Sequence, residues 1–391
     1  MIGREWKVTM DKSFEQGPIR PPSEAGSLLL RVSRNCPWNK CAFCRTYKNT
    51  KFEFRSIEEI KRDIDNMSEI AEILQELSIK EGDQGLISEK IVNIVFDRYP
   101  LYNEYHRTVA LWLHYGGESV FLQDADSLVM KTDDIVSILR YIRDTFHSVT
   151  RITSYCRSKT AARKSLSELQ SLRDAGLARI HVGMESGSDP LLKLIRKGVT
   201  AADHIEGGQK IKAAGISLCE YVIPGLGGTL YSREHARETA KVINAIHPDF
   251  VRLRSLHVVN DTPLMELMQK GEFSPLGDED VLREIQELIS GLEGIETTIV
   301  SDHILNLLEE IEGRLPRDKK KMLDVLARYF SLSEEQRLVF RLGRRSGIYR
   351  RMADLSDKSA YEELKNIVDH YETMGSGSLE KHLSTVMNGY I

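Results

Sequence analysis

Three cysteines fall within nine residues, Cys36-Pro-Trp-Asn-Lys-Cys41-Ala-Phe-Cys44, while Cys156 and Cys219 lie far along the chain. Three soft thiolates without a fourth cysteine nearby are an incomplete set for a closed zinc site, which takes four ligands. A four-iron cubane normally takes four cysteines, so with three of them one iron is open to an exogenous ligand. Zinc would have to recruit His114 or His181, and ligand softness favours the iron–sulfur alternative. Crowded cysteines in an odd total of five point to metal binding rather than disulfide stapling, and so to a reducing cytoplasm.

The remaining composition restricts the function classes. The chain has 391 residues, with 54 Lys and Arg against 58 Asp and Glu and a net charge of −4. That balance supplies no global attraction to nucleic acid or anionic membrane. No apolar run approaches the roughly 18 residues of a membrane span. The opening Met1-Ile-Gly-Arg-Glu-Trp lacks the pattern of a signal peptide.

The cysteine loop needs elements to hold it. Residues 1–26, with Pro18, Pro21 and Pro22, read as an irregular lead-in. The apolar run 28–32 is expected to be a strand that feeds the loop. Ser56-Ile-Glu-Glu59 is a capping box, followed by an apolar stripe at Ile57, Ile60, Ile64, Met67, Ala71, Leu74 and Leu77. Residues 80–115 read as an insertion in which 91–96 fits either strand or helix. Beyond it, strands are expected at 119–122, 151–154, 178–184, 216–223, 250–258 and 297–300. Helices are expected at 132–144, around Leu166–Leu172 up to Gly176, from Asp189-Pro190, at 232–246 and at 281–292. This alternation predicts an α/β fold, a partial or full (β/α) barrel of parallel strands over 27–300, with a C-terminal helical region over 301–391. The cysteine loop then lies at the carboxyl end of the sheet, where active sites of such folds form.

The cysteine segment resembles the signature of the radical S-adenosylmethionine (SAM) superfamily, in which three cysteines hold a [4Fe-4S] cluster and an aromatic residue, here Phe43, precedes the last of them. The first gap, Pro37 to Lys40, is four residues where the usual gap is three. A second segment, Leu172-Arg-Asp-Ala-Gly176 through Glu185-Ser-Gly-Ser-Asp-Pro190, resembles the fourth-strand region of the subgroup containing oxygen-independent coproporphyrinogen oxidases, the elongator catalytic subunit and the methylthiotransferases. The resemblance covers about residues 27–260.

Several roles follow from that resemblance. It implies Glu185 at the ribose of SAM, Arg196 at its carboxylate, and the turn Gln123-Asp124-Ala125-Asp126 at its amino group. It places Tyr221 to Gly228, including Ile223, along the adenine, and Ser154 beside the cofactor. The chemistry suits these roles, because a carboxylate accepts two hydroxyl hydrogen bonds and a guanidinium grips a carboxylate in bidentate fashion. The literal Gly116-Gly117-Glu118 precedes its strand and reads as a turn. The resemblance further implies reductive cleavage of SAM, hydrogen abstraction from a substrate, and a flavodoxin- or ferredoxin-type electron donor.

Outside these motifs, Arg252, Arg254 and His257 are expected on one strand, with Arg252 and Arg254 sharing a face, either in the lumen near an anionic substrate or the cofactor carboxylate, or on a solvated outer face. Ser301-Asp302-His303 reads as a helix cap or, through His303, as a contributor to the substrate site. Arg337, Arg341, Arg344, Arg345, Arg350 and Arg351 crowd one stretch and read as a solvated face balanced by neighbouring acids. A small-molecule substrate is therefore preferred over a nucleic acid. No second cysteine cluster is present to support auxiliary iron–sulfur centres. The rival readings are a nucleic-acid-modifying radical enzyme and a zinc-stabilised α/β binding protein.

Overall fold

A computed structural model describes residues 12–98, 100–375 and 377–389. Residues 1–11 of the expected lead-in, with the start of the chain that lacked a signal pattern, lie outside the described residues, as does Ser376 of the expected loop at Gly375. The fold is α/β, of the partial barrel class. Its main strands are β1 (Leu28–Arg31), β4 (Ser119–Gln123), β5 (Arg151–Cys156), β6 (Leu177–Glu185), β7 (Ser217–Val222), β8 (Phe250–Leu253), β9 (Thr298–Val300) and β10 (Gly313–Arg314), hydrogen-bonded in that order. The pairs β1–β4, β4–β5, β5–β6, β7–β8 and β8–β9 are parallel, and β9–β10 is antiparallel. Two short strands, β2 (Ser33–Arg34) and β3 (Glu53–Phe54), form an antiparallel ribbon at the base of the cysteine loop.

The chain divides into two compact units. The first comprises residues 1–39, 46–182 and 210–218, and the second 40–45, 183–209 and 219–391. In the first, α1 (Ile57–Lys80) begins at the expected capping box: Glu59 N–H donates to Ser56 Oγ at 3.2 Å and Ser56 N–H donates to Glu59 Oε2 at 2.8 Å. The ambiguous run 91–96 is helical, within α2 (Glu89–Asp97), and α3 (Glu104–His114) follows. A buried face of Ile91 and Val95 at helical spacing decides the matter. Then come α4 (Thr132–Thr145), α5 (Ser158–Arg163) and α6 (Leu166–Asp174).

The lead-in is irregular but pinned by charge. Arg151 donates two hydrogen bonds of 2.8 Å to the fully buried Glu24, and Ser27 Oγ donates a third at 2.7 Å. Burial by itself would raise the Glu24 carboxyl, but hydrogen bonds from His181, Arg151 and Ser27 overcome it and hold the pKa at about 2. The stability it contributes is therefore fully present above its ordinary pKa of 4.5 and is lost as pH falls toward 2. Glu24→Gln is expected to cost on the order of 3 kcal/mol at neutral pH, with the deficit closing as pH drops through that window in urea unfolding curves. A deficit that does not change with pH would disprove this.

The second unit holds α7 (Asp189–Leu194), most of α8 (Ala201–Ala213), α9 (Gly228–Ile246), α10 (Pro263–Gln269), α11 (Asp278–Gly291), α12 (Lys319–Ser331), α13 (Glu334–Arg345), α14 (Lys358–Thr373) and α15 (Ser378–Asn388). Helices α9 and α11 pack together, as do α13 and α14.

Three expectations are corrected in this unit. Strand β8 stops at Leu253 rather than 258, so Arg254 and His257 lie beyond it, and Arg254 is exposed while Arg252 is buried. Residues 301–312 are irregular, so Ser301-Asp302-His303 caps no helix; Ser301 Oγ instead donates to Leu308 O at 3.0 Å. Arg344 and Arg345 are buried rather than solvated. Arg345 donates to Asp278 at 2.6 Å, Arg341 to Asp278 at 3.2 Å, Arg344 and Arg350 each to Glu309 at 2.7 Å, and Arg337 to Glu279 at 2.8 Å. Arg337, Arg341 and Arg345 fasten α13 to α11, while Arg344 and Arg350 pair with Glu309 in the irregular segment before α12.

Candidate active site

The two ends of the cysteine loop are held differently. In the first unit, half-buried Cys36 accepts a hydrogen bond from Asn39 N–H, 3.4 Å away. Asn39 takes a positive φ of 48° there, a conformation Asn tolerates better than most residues. Trp38 lies under the Arg157 guanidinium, 5.0 Å from its centre. Tyr47, just after the loop, donates its hydroxyl to Asp124, and burial followed by the Asp124 charge raises its pKa far above the ordinary value.

Asp124 also accepts from Arg31 Nε at 2.9 Å, Arg31 Nη2 at 2.7 Å and Asn35 N–H at 2.9 Å. Its neighbours are equally engaged. Gln123, the last residue of β4 rather than part of a turn, bonds Gly17 and Ile19 backbone groups. Asp126 accepts from Thr160 Oγ1 at 2.6 Å and Arg157 N–H at 3.2 Å. Ser154, inside a strand that runs two residues longer than expected, donates to Leu122 O and Tyr155 O. All four side chains are buried.

The second unit contains the segment 40–45 itself. Ala42 is its anchor: its N–H donates to Ile195 O at 2.7 Å and its carbonyl accepts from Leu264 N–H at 3.0 Å. Ala42 is buried with Leu191, Leu192, Ile195 and Leu264, and Phe43 packs against this cluster. Cys41 and Cys44 flank that contact, and Cys44 N–H donates to Cys41 O at 3.4 Å.

From Phe43 the contacts continue to the carboxylate that closes β6. Lys197 Nζ lies 6.0 Å from the centre of the Phe43 ring and 2.8 Å from Glu185 Oε1. Glu185 and Lys197 are 9% and 8% exposed, so the pair is desolvated and geometrically constrained. Glu185 and Arg196 both take positive φ, 65° and 52°. Arg196 is exposed, and Lys197 beside it holds the carboxylate. Gly183 makes room for the pair, since a Cβ there would collide with Glu185 Oε1 and lie 3.1 Å from Lys197 Nζ. Gly183→Ala is therefore expected to cost about 1–3 kcal/mol and to displace the Glu185 carboxylate. An unfolding curve and a ligand affinity both equal to wild type would contradict this.

Glu185 O accepts from Ile223 N–H at 3.1 Å, which links the end of β6 to the turn after β7. His235 Nε2 donates to Ile223 O at 3.0 Å, with Nδ1 2.9 Å from Ser186 Oγ. Glu284 accepts from Gly225 N–H and Ser232 Oγ, each at 2.6 Å. The glycine turn 225–228 is thus held from α9 and α11. Nothing in the sequence reading singled out Lys197, His235, Glu284 or Tyr47. Arg252 donates to Asp302 at 2.6 and 2.8 Å. His303 accepts Leu305 N–H on Nδ1 at 3.2 Å, and burial, then Arg254 and Arg252, push its pKa down to about 4.

Residues 97–243 match the family described as the radical SAM superfamily. That stretch is similar to the radical SAM superfamily. Members of that superfamily work with a [4Fe-4S] cluster and SAM. The matched stretch takes in β4 to β7 and most of α9, and the cysteine loop lies before it.

A tRNA uridine(34) acetyltransferase of Methanocaldococcus infernus is 28% identical over 121 residues, 30% of this chain and 22% of the relative. The biotin synthase of Synechococcus sp. is 31% identical over 105 residues, 27% of this chain and 30% of the relative. The matches thus span less than a third of either relative. Among solved structures, the Escherichia coli coproporphyrinogen III oxidase aligns with 14% identity, a TM-score of 0.41, and coverage of 73% of this chain and 54% of that one.

The donor chemistry of the cysteine loop fits a cluster: three half-buried cysteines outside any disulfide, with an N–H···S hydrogen bond at the first. Among the described residues no three His, Cys, Asp or Glu side chains are already gathered into a metal-binding group. His114, bonded to Ile87 O, and His181, 3.4 Å from Glu24, are engaged elsewhere in the first unit. No described helix is long and apolar enough to cross a membrane.

Proposed function

We propose that Cys36, Cys41 and Cys44 hold the [4Fe-4S] cluster, that Glu185 receives the ribose hydroxyls of SAM, and that the chain abstracts hydrogen from a small anionic substrate. When bound, cluster and cofactor supply a 5′-deoxyadenosyl radical by one-electron reductive cleavage. The observation that carries this reading is the chain of contacts from Phe43 through Lys197 to Glu185. It joins the segment carrying two of the cysteines to the carboxylate expected at the ribose.

The chain's own groups divide the remaining work. Ala42 fastens the loop, and Phe43 gives it an apolar floor. His235 and Glu284 fix the glycine turn, whose backbone at Ile223 lies along the adenine. Arg196, exposed beside Lys197, meets the cofactor carboxylate. Gln123, Asp124, Asp126 and Ser154 brace the end of the sheet through their buried hydrogen bonds, with Asp124 holding Tyr47 after the loop.

Arg254 and His303 recognise the substrate anion, and Arg252 positions Asp302 beside them. With its pKa at about 4, His303 is neutral at pH 7. Because Nδ1 accepts a backbone N–H, Nε2 carries the proton and serves as a donor. Residues 27–300 form the catalytic segment and 301–391 a C-terminal helical domain. A flavodoxin- or ferredoxin-type donor supplies the electron, in a cytoplasmic setting.

The test is anaerobic purification and reconstitution, followed by chromatography of SAM products under a chemical reductant. Methionine and 5′-deoxyadenosine are expected from a brown protein. A colourless protein with stoichiometric zinc would replace this reading with a binding module.

The name of the acetyltransferase relatives favours a second reading, modification of tRNA. The arginines paired with carboxylates argue against it. Binding of tRNA at physiological salt is expected to be no tighter than the non-specific range of about 10⁻⁴–10⁻⁶ M. A tighter constant by filter binding would make tRNA the substrate class.

A further inference from the structure

Glu220 sits in the interior of β7 with no exposed surface, and among the described residues neither carboxyl oxygen has a hydrogen-bond partner. A buried polar group left in this way costs on the order of 1–3 kcal/mol, and more if charged. Such a group is retained for a reason other than stability. The charged groups that act on it are Glu185 and Lys197, both in the same unit. Burial first, then the Glu185 charge, raise its pKa well above the ordinary value, against the pull of Lys197. A carboxyl with no exposed surface and no hydrogen-bond donor beside it is favoured in its uncharged form.

We propose that Glu220 is a reserve counter-ion for the bound cofactor, and that Lys197 is the positioning residue shared between it and Glu185. The inference rests on the reading that Glu185 takes the hydroxyls of a nucleoside. A ligand whose hydroxyls donate to Glu185 competes with Lys197 for that oxygen. Lys197, released from Glu185 Oε1, turns to the second carboxyl. If the ligand carries net positive charge, as a sulfonium nucleoside amino acid does, Glu220 loses its proton to solvent and becomes the carboxylate that balances it. Before binding, the charges of Lys197, Glu185 and an uncharged Glu220 sum to zero; afterwards the ligand's single positive charge meets the single negative charge of two carboxylates and one ammonium. A neutral thioether analogue brings no such charge and draws out no proton.

The experiment is titration calorimetry of the reconstituted full chain with SAM and with S-adenosylhomocysteine, in buffers of different ionisation enthalpy at one neutral pH. The number of protons released per ligand is read from the dependence on buffer. Wild type should release one proton more than Glu220→Gln on binding SAM. The two proteins should release equal numbers with the thioether. Infrared difference spectra of wild type should show loss of a protonated-carboxyl band on SAM addition, which keeps the test valid if Glu220→Gln fails to fold. Equal proton release by the two proteins, or a band that persists, overturns the inference. Absence of any SAM binding heat instead defeats the reading of Glu185 on which it rests.

Discussion

Replacing Cys41 with alanine is expected to abolish both bound iron and SAM cleavage, taking turnover to the level of a protein-free control. A cubane that already has only three thiolates cannot spare one, because the open iron must remain available to the exogenous ligand. Cys36→Ala and Cys44→Ala should behave alike, whereas Cys156→Ala and Cys219→Ala should keep iron and sulfide at wild-type stoichiometry. Both of these last cysteines are buried, and burial raises the Cys156 thiol well above its ordinary pKa, so it has little thiolate character to offer a metal. Iron and sulfide assays on the five variants decide the matter. Iron retained by Cys41→Ala would remove the cluster assignment, and iron lost from Cys156→Ala would relocate it.

The second large effect concerns the buried pair at the end of β6. Lys197→Met leaves the Glu185 carboxylate desolvated without its cation, and breaking such a pair costs about 3–5 kcal/mol. Glu185→Gln combined with Lys197→Met should recover most of that loss, since no uncompensated charge remains. Both variants should bind SAM weakly. The single variant loses the cation that fixes the carboxylate, and the double variant puts an amide where the carboxylate is expected to meet the ribose. Urea unfolding reads the first effect and equilibrium dialysis of SAM the second. Equal stability of Lys197→Met and wild type would mean that the pair is solvated in solution.

Much of this arrangement was legible in the sequence because it is local. The capping box at Ser56, the proline in the first turn of α7 and the alternation of apolar runs with helical stripes each follow from residues within one turn or one strand. The Leu172–Pro190 segment, inside the stretch that matches the radical SAM superfamily, pointed to that superfamily by the same local logic. The length of β8 was not legible, because Leu256 and Val258 extend the apolar run while the end of the strand is set by its neighbours: Arg254 N–H still reaches Val222 O, but Leu256 N–H turns to Pro224 O. The arginine run was misread for a similar reason. Helical spacing tells which arginines are near one another, but their partners Asp278, Glu279 and Glu309 come from elsewhere in the chain.

Composition and spacing by themselves determined the α/β class, the three-thiolate loop and the presence of a carboxylate at the end of β6. Tertiary structure alone decided which cation meets that carboxylate. Arg196 and Lys197 are adjacent, equally charged and interchangeable by pattern, yet the positive φ at Arg196 leaves it exposed while Lys197 points to Glu185. It likewise decided that Glu220, one more acid in a strand by sequence, is buried with no hydrogen-bond partner among the described residues. Sequence spacing records which side chains are neighbours along an element. Which of them lose water and must find a charge to replace it depends on what the rest of the chain packs around them.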